Sequence, residues 1–217
     1  MGYTGSVRVG GPAEVRTLDA LTVTKLAVGG FNNNAYLLRC SRTGAALLVD
    51  AAAEPDRLLS QLPAARLDTV VTTHRHPDHW QALTAVAAAT GASSIAHAAD
   101  AEALPLRPDR MVADGDLVEV GECRLEVIHL VGHTPGSIAL YYDDPAGSGH
   151  LFTGDALFPG GPGRTMSPED FSSLMDDLES KVFRRLADET WVYPGHGDDT
   201  TLGAERPSLA EWRTRGW

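Results

Sequence analysis

Short apolar, β-prone runs recur along the chain, with helical stretches between them. The pattern predicts strands at 21–28, 35–40, 46–49, 67–72, 94–96, 117–120, 124–130, 137–142, 150–153 and 190–193. It predicts helices at 55–61, 79–90, 168–183 and 208–212. The second helix is Ala-rich and stops at Gly91, a residue suited to a helix C-terminus. The third has Ser167 as N-cap, Pro168 in its first position, and acids at Glu169 and Asp170. Its apolar residues Phe171, Leu174, Met175, Leu178 and Val182 follow the helical period and face a core. So many strands with so few helices imply an α/β fold of two sheets packed face to face, with helices outside. Residues 143–149 and 159–164 are rich in Gly, Pro and Asp and read as loops. Residues 1–20 are expected to form a flexible N-terminal arm, and 21–217 a single domain.

Composition narrows the function. The chain has 217 residues, 43% hydrophobic and 22% charged, which suits one globular domain with a sizeable core. Its formal net charge of -11 argues against sequence-independent nucleic-acid binding, which needs a basic footprint. No apolar stretch reaches membrane-spanning length, and the start carries no apolar signal core. Two cysteines, Cys40 and Cys123, make no disulfide framework and read as packed small hydrophobes. A cytoplasmic protein is expected, a monomer or homodimer, acting on a small molecule.

The chemistry is concentrated in Thr73-His74-Arg75-His76-Pro77-Asp78-His79. Buried imidazoles and a carboxylate this close together cost several kcal/mol unless a cation neutralises them. If the chain stays extended after Thr73, His74 and His76 point the same way. Pro77 disfavours helix at His76, so Asp78 and His79 sit where the helix begins. A polar surface turn could account for His74 and His76 alone; it accounts poorly for all four.

Three more candidate ligands each follow a predicted strand beside glycine: His133 after Gly132, Asp155 after Gly154, and His196 after Gly195. His74, His76 and His133 would form one metal site, with an open position. Asp78, His79 and His196 would form a second. Asp155 is the natural bridge, because a carboxylate has two oxygens. Two divalent cations about 3.5–4 Å apart would share a water and lower its pKa from about 15.7 toward about 7. Zinc is the expected metal, with iron or manganese as alternatives. Asp78 doubles as the candidate catalytic carboxylate. Among the other histidines, His97 and His150 read as ordinary, and His129 as structural or as support behind a ligand.

The set His74-x-His76-x-Asp78-His79, Gly132-His133-Thr134-Pro135-Gly136-Ser137, Phe152-Thr153-Gly154-Asp155 and Pro194-Gly195-His196-Gly197 resembles the metallo-β-lactamase-fold hydrolases. The resemblance covers roughly residues 20–200. It implies a four-layer αβ/βα sandwich of two mixed sheets, with the metals at one edge. Asn34-Ala35-Tyr36-Leu37-Leu38 and Gly160-Gly161-Pro162-Gly163-Arg164 are similar to the glyoxalase II branch, in its short form. That branch implies hydrolysis of a thioester by a metal-bridging hydroxide. The long members' C-terminal helical domain, which carries basic glutathione-binding residues, is not expected here, so glutathione recognition does not carry over. Pro162 and Trp80 stand where relatives often have Cys and Gly. Trp80 and Arg164 are candidate substrate-binding residues. Trp80 could instead pack the helix, the favoured alternative, and Arg164 could be a structural loop arginine. The competing activities are a mononuclear iron persulfide dioxygenase using His74, His133 and Asp155, and another ester or lactone hydrolase of the same fold. An exported β-lactamase, a nuclease and a degenerate binding module fit less well.

Overall fold

The structure, a computed structural model, describes residues 2–62 and 67–216. Met1, residues 63–66 and Trp217, which the expected arm and domain include, lie outside the described residues.

The first sheet holds, in spatial order, β1 (Glu14–Thr17), β2 (Leu21–Val28), β3 (Asn33–Cys40), β4 (Ala46–Val49), β5 (Leu67–Val71), β6 (Ser93–His97) and β7 (Arg110–Val112). Its β1–β4 pairings are antiparallel and its β4–β7 pairings parallel. The second sheet contains β8 (Leu117–Val120), β9 (Cys123–His129), β10 (Ile138–Tyr142), β11 (His150–Gly154), β14 (Trp191–Pro194) and β15 (Thr200–Thr201). There only β11 and β14 pair in parallel. A small hairpin joins β12 (Leu157–Phe158) to β13 (Gly161–Pro162). The helices are α1 (Pro55–Ser60), α2 (Leu83–Thr90), α3 (Pro168–Asp177), α4 (Leu202–Glu205) and α5 (Leu209–Arg215).

Neighbouring residues on a strand point to opposite faces, and this builds the layers. Leu38 and Leu47 pack between the sheets with Val71, Leu125, Leu140 and Phe152. Leu37 and Leu48, one position away on the same strands, pack outward with Val70 of β5 and with Leu83 and Val86 of α2. On the other side Ile128, Ala139 and Leu151 meet Phe171, Leu174, Met175 and Leu178. The result is the expected sandwich of two mixed sheets with helices outside.

Three expectations need correction. Residues 2–20 are not a loose arm. β1 pairs with β2, and the Tyr3 hydroxyl donates to Asp199 Oδ2 at 2.6 Å. The Thr4 and Gly5 N–H groups both donate to Glu14 Oε2 at 2.9 Å. The helix expected over 79–90 breaks in two: a 3-10 turn at Pro77–His79, then α2 from Leu83. The Gln81 and Ala82 N–H groups donate to the Ala52 and Ala51 carbonyls, so the loop after β4 takes the hydrogen bonds a continuous helix would use. The helix expected over 168–183 has the right extent, but Leu178–Phe183 is π-helical.

Candidate metal centre

The fold gathers the candidate ligands by strand direction. β9 and β11 are both antiparallel to β10, and β14 is parallel to β11. The C-terminal ends of β9, β11 and β14 therefore share one edge of the sandwich, where His133, Asp155 and His196 follow. The Ile138 N–H donates to the Thr73 carbonyl at 2.9 Å and the Asn34 N–H to Gly195 at 2.7 Å, tying the first sheet to the same edge. Gly195 is required there: a Cβ on it would overlap Asp155 Oδ1.

All seven candidate ligands come together. His74 Nε2 lies 3.1 Å from His76 Nδ1 and 3.3 Å from His133 Nε2. His79 Nε2 lies 3.2 Å from His196 Nε2, which is 3.3 Å from Asp78 Oδ2. Asp155 spans the two ends. Its Oδ1 is 3.3 Å from His79 Nε2, and its Oδ2 is 3.6 Å from His133 Nε2 and 3.5 Å from His196 Nε2. Three overlapping groups could each hold a cation: His74/His76/His133, His74/His79/Asp155 and Asp78/His79/His196.

For His74, His79, His133 and His196 the other ring nitrogen has a partner, which selects the tautomer. The Nδ1–H of His79 donates to Asp50 Oδ2 at 2.8 Å, that of His133 to the Arg164 carbonyl at 2.6 Å, and that of His196 to the Phe31 carbonyl at 3.0 Å. The Thr73 hydroxyl donates to Asp50 Oδ2 at 2.8 Å, leaving its oxygen to accept from His74 Nδ1 at 3.1 Å. The Nε2 atoms of His74 and His133, and of His79 and His196, thus face each other, and in the neutral rings two lone pairs would meet at each contact. That arrangement is repulsive unless a cation sits among them. A tetrahedral zinc with bonds of about 2.0–2.1 Å separates its ligand nitrogens by about 3.4 Å, close to these spacings. Asp155 Oδ1 is buried with no hydrogen-bond partner among the described residues, another coordination position. The donor set fits one or two divalent cations.

The electrostatics agree. Burial, reinforced by the neighbouring imidazoles, holds His74 well below the usual histidine range, so it is neutral and ready to ligate. Burial also lowers His133. For His79 burial is outweighed by Asp50 and Asp155, which push it up to about 10. Burial works against the Asp155 carboxylate too, yet His79 and His196 hold it well below its ordinary value. The cluster therefore draws in positive charge.

Trp80 packs against the α1/α2 layer, and its Nε1–H donates to the Arg75 carbonyl at 2.8 Å, holding the ligand loop. Arg164 offers its carbonyl to His133; its exposed guanidinium has no hydrogen-bond or ion-pair partner among the described residues. His129 Nε2–H donates to the Pro135 carbonyl at 2.8 Å, and the ring stacks on His97 at 3.8 Å. His129 is thus a brace for the His133 loop.

The sequence reading missed the supports behind the ligands. Asp50 grips both Thr73 and His79 from a left-handed backbone position, φ 57. Asn33 donates to Asp78 Oδ2 at 2.8 Å. Asp100 accepts from the Arg75 and Gly136 N–H groups and the Thr134 hydroxyl, joining the His74 loop to the His133 loop. Lys25 is fully buried and donates to the Gly5 and Gly197 carbonyls and to Asp199 Oδ1 at 2.7, 2.8 and 2.6 Å. It fastens the loop that carries His196. An Asp closing a strand and a lysine inside one are the available sequence signals, and neither has a motif around it.

Comparison with known proteins agrees with this geometry. The family model of the metallo-beta-lactamase superfamily matches residues 28–196. A hydroxyacylglutathione hydrolase of Rhodospirillum rubrum is 37% identical over 180 residues, covering 82% of this chain and 67% of that protein. The chain spans about two thirds of the length of the curated relatives it resembles at this level, 62% and 66% for two others. Among solved structures, ETHE1 from Myxococcus xanthus superposes with a TM-score of 0.75 at 32% identity, covering 87% of this chain and 84% of that one. TTHA1623, solved in a di-iron-bound form, gives 0.69 at 31% identity, covering 84% and 96%. Ligand order, sandwich architecture and these likenesses coincide: the chain belongs to the metallo-beta-lactamase superfamily and is related to its hydroxyacylglutathione hydrolases.

Proposed function

We propose that this protein is a dinuclear metal-dependent hydrolase that cleaves a thioester to a carboxylic acid and a thiol. The observation that supports the reading is Asp155, whose carboxylate lies between the two ends of the cluster, its Oδ1 near His79 and its Oδ2 near both His133 and His196. When bound, two divalent cations would acidify a shared water and polarise a carbonyl oxygen. The protein's part is to orient and to neutralise. His74, His76 and His133 form one end, and Asp78, His79 and His196 the other. Asp78, held by Asn33 and near the surface, is the carboxylate placed to accept a proton from the attacking water. The exposed Arg164 guanidinium, without a partner among the described residues, would bind a substrate carboxylate by charge-assisted hydrogen bonds. Related hydroxyacylglutathione hydrolases support the thioester as substrate class.

The test is elemental analysis of protein purified without chelator or added metal, together with a panel of S-acyl thiols. About two metal ions per chain are expected, with thiol release that chelation abolishes and zinc restores. Metal-replete protein inert toward S-acyl thiols as a class would overturn the reading.

One observation favours a second reading. His74, His133 and Asp155 by themselves form a two-histidine, one-carboxylate set, as mononuclear iron oxygenases use. A persulfide dioxygenase would hold one iron per chain and consume oxygen with a persulfide substrate, which the same elemental analysis and an oxygen electrode distinguish.

A further inference from the structure

His97 touches two of the braces behind the metal centre at once. It ends β6 in the first sheet, and His129 ends β9 in the second. Their half-buried rings stack with centroids 3.8 Å apart and planes 25° from parallel. The His129 Nε2–H donates to the Pro135 carbonyl at 2.8 Å, two residues beyond the ligand His133. The His97 ring therefore backs the ring that holds that loop.

The same imidazole closes the turn that places Asp100. The Asp100 N–H donates to the His97 carbonyl at 3.1 Å, and the Ala99 N–H donates to His97 Nδ1 at 3.2 Å. A backbone N–H needs a lone pair, so Nδ1 carries no proton and the ring is neutral. Asp100 is buried and accepts from the Arg75 and Gly136 N–H groups at 2.9 Å each and from the Thr134 hydroxyl at 2.5 Å. Those donors adjoin His74, His76 and His133 in the chain. The fit is tight: a Cβ on Gly136 would come within 2.7 Å of Asp100 Cγ. A small shift of Asp100 is thus carried to both ligand loops, because packed neighbours have no slack.

A proton on Nδ1 would set N–H against N–H at Ala99. His129 of β9 opposes a charge on the ring, whereas Asp100 in the turn and Asp114 before β8 favour one. Lys181 of the π-helical turn stands behind them, donating to the His129 carbonyl at 2.6 Å and lying 3.8 Å from Asp114. Arg75 Nε lies 3.9 Å from Asp100 Oδ1. Burial first, and then His129, hold His97 below its ordinary 6.5, in agreement with the neutral ring.

We propose that His97 is a positioning residue for the metal centre: with Nδ1 unprotonated, this one imidazole holds the Asp100 turn and backs His129, keeping the His74 and His133 loops at ligand distance, and a proton on Nδ1 releases the hold. This rests on the cluster binding metal and is independent of the thioester. The consequence is a metal site that loosens in mild acid through a group that is not itself a ligand.

The experiment measures zinc affinity of the purified full chain by competition with a chromophoric chelator, across about pH 5 to 8, where an imidazole titrates. Wild type, His97→Ala and His97→Asn are compared. His97→Ala lacks the acceptor at every pH, so at the alkaline end it should bind zinc about tenfold more weakly than wild type, and the gap should close as wild type takes up its proton. His97→Asn offers Oδ1 to the Ala99 N–H and does not titrate in this range. It should rescue binding at the alkaline end and exceed wild type at the acid end. Reciprocally, zinc should move the His97 ring titration, followed by NMR, to lower pH by about one unit for a tenfold coupling. The proposal is overturned if the gap between wild type and His97→Ala is constant across the range, as a merely structural role would make it. It is also overturned if His97→Asn weakens in acid as wild type does, or if His97 titrates at the same pH with and without zinc. Wild type that binds no zinc at any pH would overturn the metal centre itself, a result distinct from intact binding that ignores His97.

Discussion

His79 Nδ1 lies 2.8 Å from Asp50 Oδ2, and both side chains are buried. The contact fixes the His79 ring with Nε2 toward the metal cluster. The other Asp50 oxygen accepts from the Thr73 N–H at 2.8 Å, so one carboxylate sets the start of the ligand loop and its end. Carboxylates behind metal-bound histidines typically matter about 10–100-fold in metal affinity or activity. Asp50→Ala should therefore weaken zinc binding by about tenfold or more, read by competition against a chromophoric chelator. Unchanged affinity in a folded variant would remove Asp50 from the metal centre.

Lys25 acts through the loop that carries His196. Burial lowers the Lys25 pKa and raises that of Asp199, and each partner opposes the effect on the other. Lys25→Met leaves the Asp199 carboxylate buried without its cation, a loss of about 3–5 kcal/mol and a Tm about 10 °C lower. Lys25→Met combined with Asp199→Asn should recover most of that stability. If the His196 loop relaxes as well, the single variant holds less metal than wild type at a temperature where it is still folded.

Arg164 has two separable roles. Its carbonyl orients His133 whatever the side chain is, whereas its guanidinium is exposed and has no partner among the described residues. Arg164→Ala should leave metal content unchanged. It should raise KM by about tenfold, the worth of one charge-assisted hydrogen bond, for thioesters that carry a carboxylate, and leave neutral ones alone. Equal effects on both substrates, or loss of metal, would assign Arg164 a structural role.

His150 makes acid stability testable away from the metals. It is buried in the second sheet, with Nδ1 2.9 Å from the Tyr193 hydroxyl. Burial first, then Arg16, lower its pKa to about 4 from an ordinary 6.5. The unfolded chain thus binds this proton more readily than the folded one. The stability that neutral His150 contributes is present above about pH 6.5 and is lost as pH falls toward 4. The loss is about 3 kcal/mol. Urea denaturation of wild type against His150→Gln should show a wild-type decline over that window that is reduced in the variant.

Local pattern carried far where one physical constraint acted on adjacent residues. The strand at 21–28 appears with the expected bounds, because one face is buried and a one-residue slip would expose it. Chain entry into α2 was misread because the competing acceptors, the Ala51 and Ala52 carbonyls, lie some thirty residues upstream of Gln81 and Ala82. The N-terminal segment was misread for the same reason. Its Gly- and Thr-rich composition suggests looseness, but Glu14, Lys25 and Asp199 supply partners that no local window contains.

What the chain determined by itself was the chemistry: four ligand-type side chains in one turn, three more at glycine-flanked strand ends, and alternation enough to build two sheets. Tertiary structure decided which nitrogen of each ring faces inward, that Asp155 reaches both ends of the cluster, and that Asp50, Asn33, Asp100 and Lys25 hold the ligands in place. Residue type sets what a side chain can coordinate. Orientation depends on hydrogen bonds to groups distant in sequence, and those partners exist only once the two sheets have packed.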